Sequence, residues 1–286
     1  MTSFFVHTAD EAPWRDAARR LHQSRLVAAA GEAHAEVFDG ALLTKPPAIR
    51  AALEAGRHVL VAAEPCLPRV ELDSLQRAAK QRSLLFALFN PDRFLASRQL
   101  LRKQIDGPLG SLELLRSHRW ENHIAPAPLG LSGSLVGEIE QAAWFYGRPV
   151  RSVFAMQPAG LNAVQVQLCF GPGMATIDYC DALQGTTLTG YRSLSLIGSR
   201  GSAQVDDHTN TQLAYVGGDG PTGLTVGEGV RHLAAMLDDF ASAIAEQRDF
   251  SSTVTDALHT LDVVAALQKS LKTHEPVTLE PAEAVR

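Results

Sequence analysis

The sequence predicts an α/β domain with a parallel sheet, followed by an α+β domain built on a mostly antiparallel open sheet. Three observations predict it. First, FDGALLTKPPAIRAALEAGRHVLVAAEP, Phe38 to Pro65, reads as strand, short helix and strand, with prolines at 46 and 47 closing the first apolar run. Parallel strands joined in this way require a right-handed crossover. Second, short apolar runs alternate with helical faces up to Gly107, where the domain boundary falls. Third, from Pro149 onward apolar runs follow one another through short glycine turns, which favours antiparallel pairing. A chain of 286 residues is long enough for two such cores, 1–107 and 108–286.

The elements follow in order. Ser3 to His7 is a first strand, and Asp10 to Pro13 opens a helix that carries Trp14, Ala17, Ala18 and Leu21 on one face. Arg25 to Ala30 is a second strand, and Gly40 to Leu43 a third. Ala48 to Ala55 forms a helix stopped by Gly56, and His58 to Ala63 the strand after it. This is the order of a Rossmann-like domain, but a truncated one. A strand–helix–strand unit takes roughly 30 or more residues, and only 43 precede Thr44, so at least one helix is trimmed. Ligands of such sheets lie beyond the carboxyl ends of the strands, here Thr44-Lys45 and Ala63-Glu64-Pro65.

Pro68 to Ser83 is a helix, Leu84 to Phe89 a strand, and Leu95 to Ile105 another helix. Ser111 to Trp120 is a strand whose His118 and Arg119 suit a solvated face as well as a site. Gly130 to Gly147 is a long helix. Sheet strands follow over 150–155, 163–170, 174–179, 186–197, 202–205 and 212–216, with turns at 171–173 and 198–201. Gly217 to Gly229 holds six glycines and reads as a loop; it lacks the strand-to-helix setting of a phosphate loop. Arg231 to Glu246 and Ser251 to Ser270 are amphipathic helices, and Pro276 to Leu279 a last strand. His232, His259 and His274 suit surface or packing positions.

Composition excludes several classes. A net charge of −5, a pI near 6.1 and no basic cluster interleaved with aromatics argue against nucleic acid. No apolar run reaches the ~18 residues of a membrane span, and the N-terminus lacks a basic start and long apolar core, so no secretory signal is expected. Cys66, Cys169 and Cys180 are widely spaced and read as buried free thiols in a reducing, cytoplasmic compartment.

Several segments carry a resemblance. AALEAGRHVL with Glu64-Pro65, Asn90-Pro-Asp-Arg93-Phe, Asp106-Gly-Pro-Leu-Gly110, GLSGSLVGEIEQAAWFYG and LSLIGSRGSAQVD resemble motifs of the glucose–fructose oxidoreductase, inositol dehydrogenase and rhizopine-catabolism (Gfo/Idh/MocA) family. The resemblance runs from Phe38 to Leu279. It implies a Rossmann cofactor domain, an open-sheet second domain whose terminal helices pack back on the first, and NAD(P)-dependent oxidation of a sugar or polyol. It also implies a homodimer or tetramer formed through the second sheet.

The chemistry of that family is missing from the matching positions. With the register set on Trp144 and Gly147, the family's catalytic aspartate and histidine fall on Gly133 and Gly137, and its lysine on Glu64. Glycine cannot move a proton, and Glu64 inverts the lysine's charge. The turn after the first strand, His7 to Pro13, has no glycine and places Asp10 and Glu11 where a diphosphate would lie. The acid that would hold the ribose is replaced by Ala28-Ala-Ala-Gly31, with Glu32 as the one substitute.

The expected cleft therefore offers Lys45, Glu64, Asn90, Arg93, His123 and Glu138, with Glu140 two residues further on. Asn90 and Arg93 either touch a ligand or tie a strand end to the next helix. Glu138 and Glu140 cannot face one way on a helix, and their spacing matches no metal motif. The leading expectation is a catalytically degenerate family homologue without a usual cofactor, serving as a ligand-binding or partner subunit, with itself or an active relative. The alternatives are an NAD(P) dehydrogenase using Lys45, Arg50 and Glu64, and an NAD-independent metabolite or glycan enzyme using Glu64 and Glu138.

Overall fold

The structure is a computed structural model that describes residues 1–39, 46–62, 67–121, 131–181, 191–207, 211–216, 221–223, 231–250 and 254–280. The chain divides into two compact units, Met1–Ala96 with Gly227–Leu258, and Ser97–Val226 with His259–Arg286.

The first unit holds a parallel sheet of strands β1 (Thr2–His7), β2 (Ser24–Leu26), β3 (Ala35–Asp39), β4 (His58–Ala62) and β5 (Phe86–Phe89), in the order β2-β1-β3-β4-β5. It is a 3-2-1-4-5-6 sheet with the outermost strand, 3, removed. The trimming expected from length is visible between β2 and β3, where a single 3₁₀ turn, Ala30–Glu32, stands in place of a helix. Two strand expectations are corrected. β2 is three residues long and ends at Leu26, and the third strand is Ala35–Asp39, ahead of the apolar run 40–43, which lies outside the described residues. Glu36 disguised β3 in the sequence. It is 4% exposed because Arg57 Nη1 donates to its Oε1 at 2.5 Å and His7 Nε2 lies 2.6 Å from its Oε2.

Helix α1 (Glu11–Ala18) and helix α6 (Arg231–Glu246) cover one face of this sheet. Phe4, Val37, Leu60 and Trp14 meet Leu233, Met236, Leu237 and Phe240 there, and each such side chain contributes about 2 kcal/mol by leaving water. Asp238 of α6 also accepts the backbone N–H groups of His22 and Gln23 and the Ser24 hydroxyl, so the short β2 is held by a side chain from far along the chain. Helix α2 (Pro46–Glu54) has both prolines in its first turn, where no N–H is required, and Gly56 follows it at φ +77°. Helix α3 (Arg69–Gln81) lies against α2.

The second unit begins within helix α4 (Ala96–Gln104). Its sheet has nine strands: β6 (Leu112–Trp120), β7 (Ser152–Met156), β8 (Ala163–Cys169), β9 (Met174–Cys180), β10 (Tyr191–Gly198), β11 (Gly201–Asp206), β12 (Thr211–Val216), β13 (Pro221–Gly223) and β14 (Val277–Thr278). The order is β13-β12-β11-β10-β6-β9-β8-β7-β14, antiparallel throughout except for the parallel pair β6 and β9. The glycine-rich stretch read as a loop contains β13, which pairs with β12. Helix α5 (Gly133–Tyr146) and helix α7 (Val254–Thr273) supply Val136, Ile139, Phe145, Val263, Val264 and Leu267 to this unit's core.

Cys169 and Cys180 are free and half-buried, where the sequence suggested full burial; both sit at strand ends, and Cys66 lies outside the described residues. Among the described residues no helix is long and apolar enough to cross a membrane.

Candidate functional site

In the first unit the sheet order puts the topological switch point between β1 and β3, at the ends His7 and Asp39. Two features fill it. Asp10 caps α1, its carboxylate accepting the Ala12 N–H at 3.0 Å. Asp39 Oδ2 accepts from the Thr8 hydroxyl at 2.8 Å and from the Trp14 indole N–H at 3.1 Å. A helix N-terminus beside a switch point is where a phosphate would find free N–H donors. Here one donor is taken by an anion of the chain and a second carboxylate stands next to it, so these residues do not fit a dinucleotide diphosphate.

In the second unit the polar centre lies between α5 and the sheet. β6 alternates, so Ser117 and Arg119 face α5 while His118 and Trp120 face away. Glu138, 2% exposed, is the hub. Its Oε2 accepts from the Ser117 hydroxyl at 2.6 Å; its Oε1 lies 3.2 Å from Arg119 Nη1 and 2.9 Å from Arg192 Nη2. The Arg192 approach is an ion pair set off the line of a good hydrogen bond. Burial alone would push the Glu138 carboxyl up, but Arg192, Arg119 and the Ser117 hydroxyl outweigh it and hold it below the usual carboxylate range. Arg119 also reaches Glu121 at 2.5 Å, and its guanidinium is raised, the two carboxylates outweighing burial and the repulsion of Arg192.

The Tyr179 hydroxyl donates to Glu121 at 3.2 Å; burial pushes its pKa up to about 12, against a hydrogen bond with Ser132, the residue that caps α5. In the same unit Arg98, with no exposed surface, forms a bidentate pair with Asp207 at 2.7 and 2.6 Å. The cations Arg98, Arg119 and Arg192 are matched by Asp207, Glu121 and Glu138. A carboxylate held ionised between two guanidiniums is no proton donor at neutral pH, and a tyrosine near 12 is no base.

The expected cleft residues are distributed as follows. Lys45, Glu64 and His123 lie outside the described residues. Asn90 is 3% exposed, and its Oδ1 accepts the Asp92 N–H at 2.8 Å, capping the 3₁₀ turn Pro91–Phe94; Arg93 in that turn is 5% exposed. Gly133 opens α5, and Gly137 is buried one turn later. Glu138 is joined by Ser117, Arg119 and Arg192, none of which the sequence had marked as its partners. The signal available was slight: one cation at an inward position on each of two neighbouring strands.

No protein-family model matches the sequence, and no curated protein matches it. Solved structures do. A UDP-N-acetylglucosamine 3-dehydrogenase from Acidithiobacillus ferrooxidans is similar with a TM-score of 0.77 at 16% identity, over 94% of this chain and 97% of that one. An aldose–aldose oxidoreductase from Caulobacter crescentus, complexed with glycerol, is similar with a TM-score of 0.76 at 16% identity, over 97% of this chain and 99% of that one. The chain has the Gfo/Idh/MocA-type fold. At this identity the likeness is one of fold, and the sites must be judged on their residues. Ligands of open parallel sheets lie at the switch point, and here that position holds Asp10 and Asp39.

Proposed function

We propose that this chain is a Gfo/Idh/MocA homologue that has left nicotinamide chemistry and works as a ligand-binding or partner subunit. One observation carries the reading. The first turn after β1 has no glycine, and Asp10 and Asp39 occupy the position of a diphosphate through hydrogen bonds to Ala12, Thr8 and Trp14. The second unit supports it, since α5 has glycine at 133 and 137, where the resemblance would put the acid and the base. Glu138 beside them is already neutralised by Arg119 and Arg192.

In this reading the protein is cytoplasmic, with reduced thiols. Its partner is a second copy or an active relative, met on the open face of the nine-stranded sheet, where Trp120, Met156 and Ile197 are exposed. The test is titration with NADH and NADPH, followed by nucleotide fluorescence and by heat. Silence at millimolar nucleotide is expected. Micromolar binding of either nucleotide would overturn the proposal.

A further inference from the structure

The face of the nine-stranded sheet turned away from α5 is apolar and sparsely charged. Side chains alternate along each strand, so the register fixes which residues share that face. Trp120, Met156, Met174 and Ile197 stand on it, and all four are exposed. Between Leu114 and Trp120 on β6, and on the strands beside it, the outward charges among the described residues are Arg116, His118, Asp178 and Asp206. His118 Nδ1 lies 3.0 Å from Asp178 Oδ2, and Asp178 Oδ1 accepts from Gln165 Nε2 at 3.0 Å. The two side chains are 37% and 36% exposed, so the pair stands in the surface and not beneath it. Its other neighbours are uncharged groups: Ser193 and Tyr191 on β10, and Thr176 and Cys180 on β9. Phenols and thiols of the ordinary kind ionise above about pH 8.

The charge of this face therefore turns on one proton. Histidine changes its charge between about pH 5 and 8. With His118 neutral, Arg116 faces Asp178 and Asp206, and the patch is negative; with His118 protonated, the two signs balance. The seven longer strands, at roughly 4.8 Å apart and 20 Å long, span on the order of 700 Å². That is close to the roughly 800 Å² that one partner buries in a stable complex. A two-fold pair lays a patch upon itself. A negative patch repels its copy, whereas a balanced one does not. Docking also takes Asp178 out of water, which costs least when its neighbour is a cation.

We infer that this face docks on a second copy of the chain, and that His118 takes up a proton as it does so, which tightens the pair in mild acid. The inference rests on the partner-subunit reading above, naming that partner and its control, and is independent of nucleotide binding.

The experiment is sedimentation equilibrium of the full-length protein from about pH 5.5 to 8, at constant ionic strength. The dissociation constant should fall about tenfold or more between the alkaline and the acid end, because each copy binds a proton on docking. His118→Gln keeps a donor for Asp178 but cannot become charged, and its constant should change less than about twofold over the same range. Asp178→Asn should likewise lose the tightening in acid. Trp120→Asp, which sets a charge in the apolar face, should sediment as a monomer throughout. A dimer indifferent to pH, or a slope that survives in His118→Gln, would overturn the inference and leave the partner reading standing. A dimer that survives Trp120→Asp lies on another face and overturns it too. A parent that is monomeric at every pH overturns the inference together with the second copy as partner.

Discussion

Glu138 shows how a single residue can be fully ionised and still unavailable for chemistry. Its carboxylate, itself buried, is shared by Ser117, Arg119 and Arg192. Glu138→Gln removes the charge that faces both Arg119 and Arg192, and should lower unfolding stability by about 3 kcal/mol in urea titration. The folded value of this carboxyl is depressed, so its contribution is complete above the unfolded value of about 4.3 and is lost as pH falls through the lower folded value. The stability difference between parent and variant should accordingly shrink in strong acid.

His58 has the same sign in a higher pH window. Burial first, and then His34, push its pKa down, while its Nδ1 accepts the Leu85 N–H at 2.9 Å. The unfolded chain takes up this proton near pH 6.5 and the folded chain only below that. Stability should therefore fall as pH drops below about 6.5. His58→Gln, which keeps an acceptor, should flatten that part of the urea-midpoint profile.

Among the elements, the hairpin of β10 and β11 is pinned by a close backbone approach. A Cβ on Gly198 would stand 2.3 Å from the Leu109 carbonyl oxygen, which is backbone and cannot swing away. Ser199 N–H donates to the Ser111 carbonyl and Arg200 N–H to the Leu109 carbonyl, so the turn is stitched to the start of β6. Gly198→Ala should cost roughly 2 kcal/mol or more, from the overpacking it forces, visible as a lower thermal midpoint. The same contact gives the segment LSLIGSRGSAQVD, one of those that carry the resemblance, a structural reason: Gly198 answers to backbone geometry. β3 escaped recognition for the converse reason. Its Glu36 is compatible with burial only because Arg57 and His7 come from other strands and turns to meet it.

At the scale of the molecule, a protein that binds neither nucleotide gains no stability from them by mass action. The thermal midpoint should be unchanged by millimolar NADPH. A clear rise would show that the Asp10 and Asp39 arrangement opens to admit a diphosphate. The sheet cores do not draw on the residues at that position. Phe4, Val37 and Leu60 pack against α6, and Leu115, Val166 and Ile177 belong to the core with α5 and α7, whichever residues end the strands.

The sequence by itself determined the two-domain plan, the order of nearly every helix and strand, the lost glycine turn and the glycines at 133 and 137. All of these depend on local periodicity, on turn chemistry or on a residue type being absent, and each is written in neighbouring positions. The tertiary structure alone decided that the switch point lies between β1 and β3, that Asp39 is held by Thr8 and Trp14, and that Glu138 is balanced by Arg119 and Arg192. Arg192 is 54 residues along the chain from Glu138, and the Coulomb energy that joins them depends on a distance in space that no spacing in the sequence encodes.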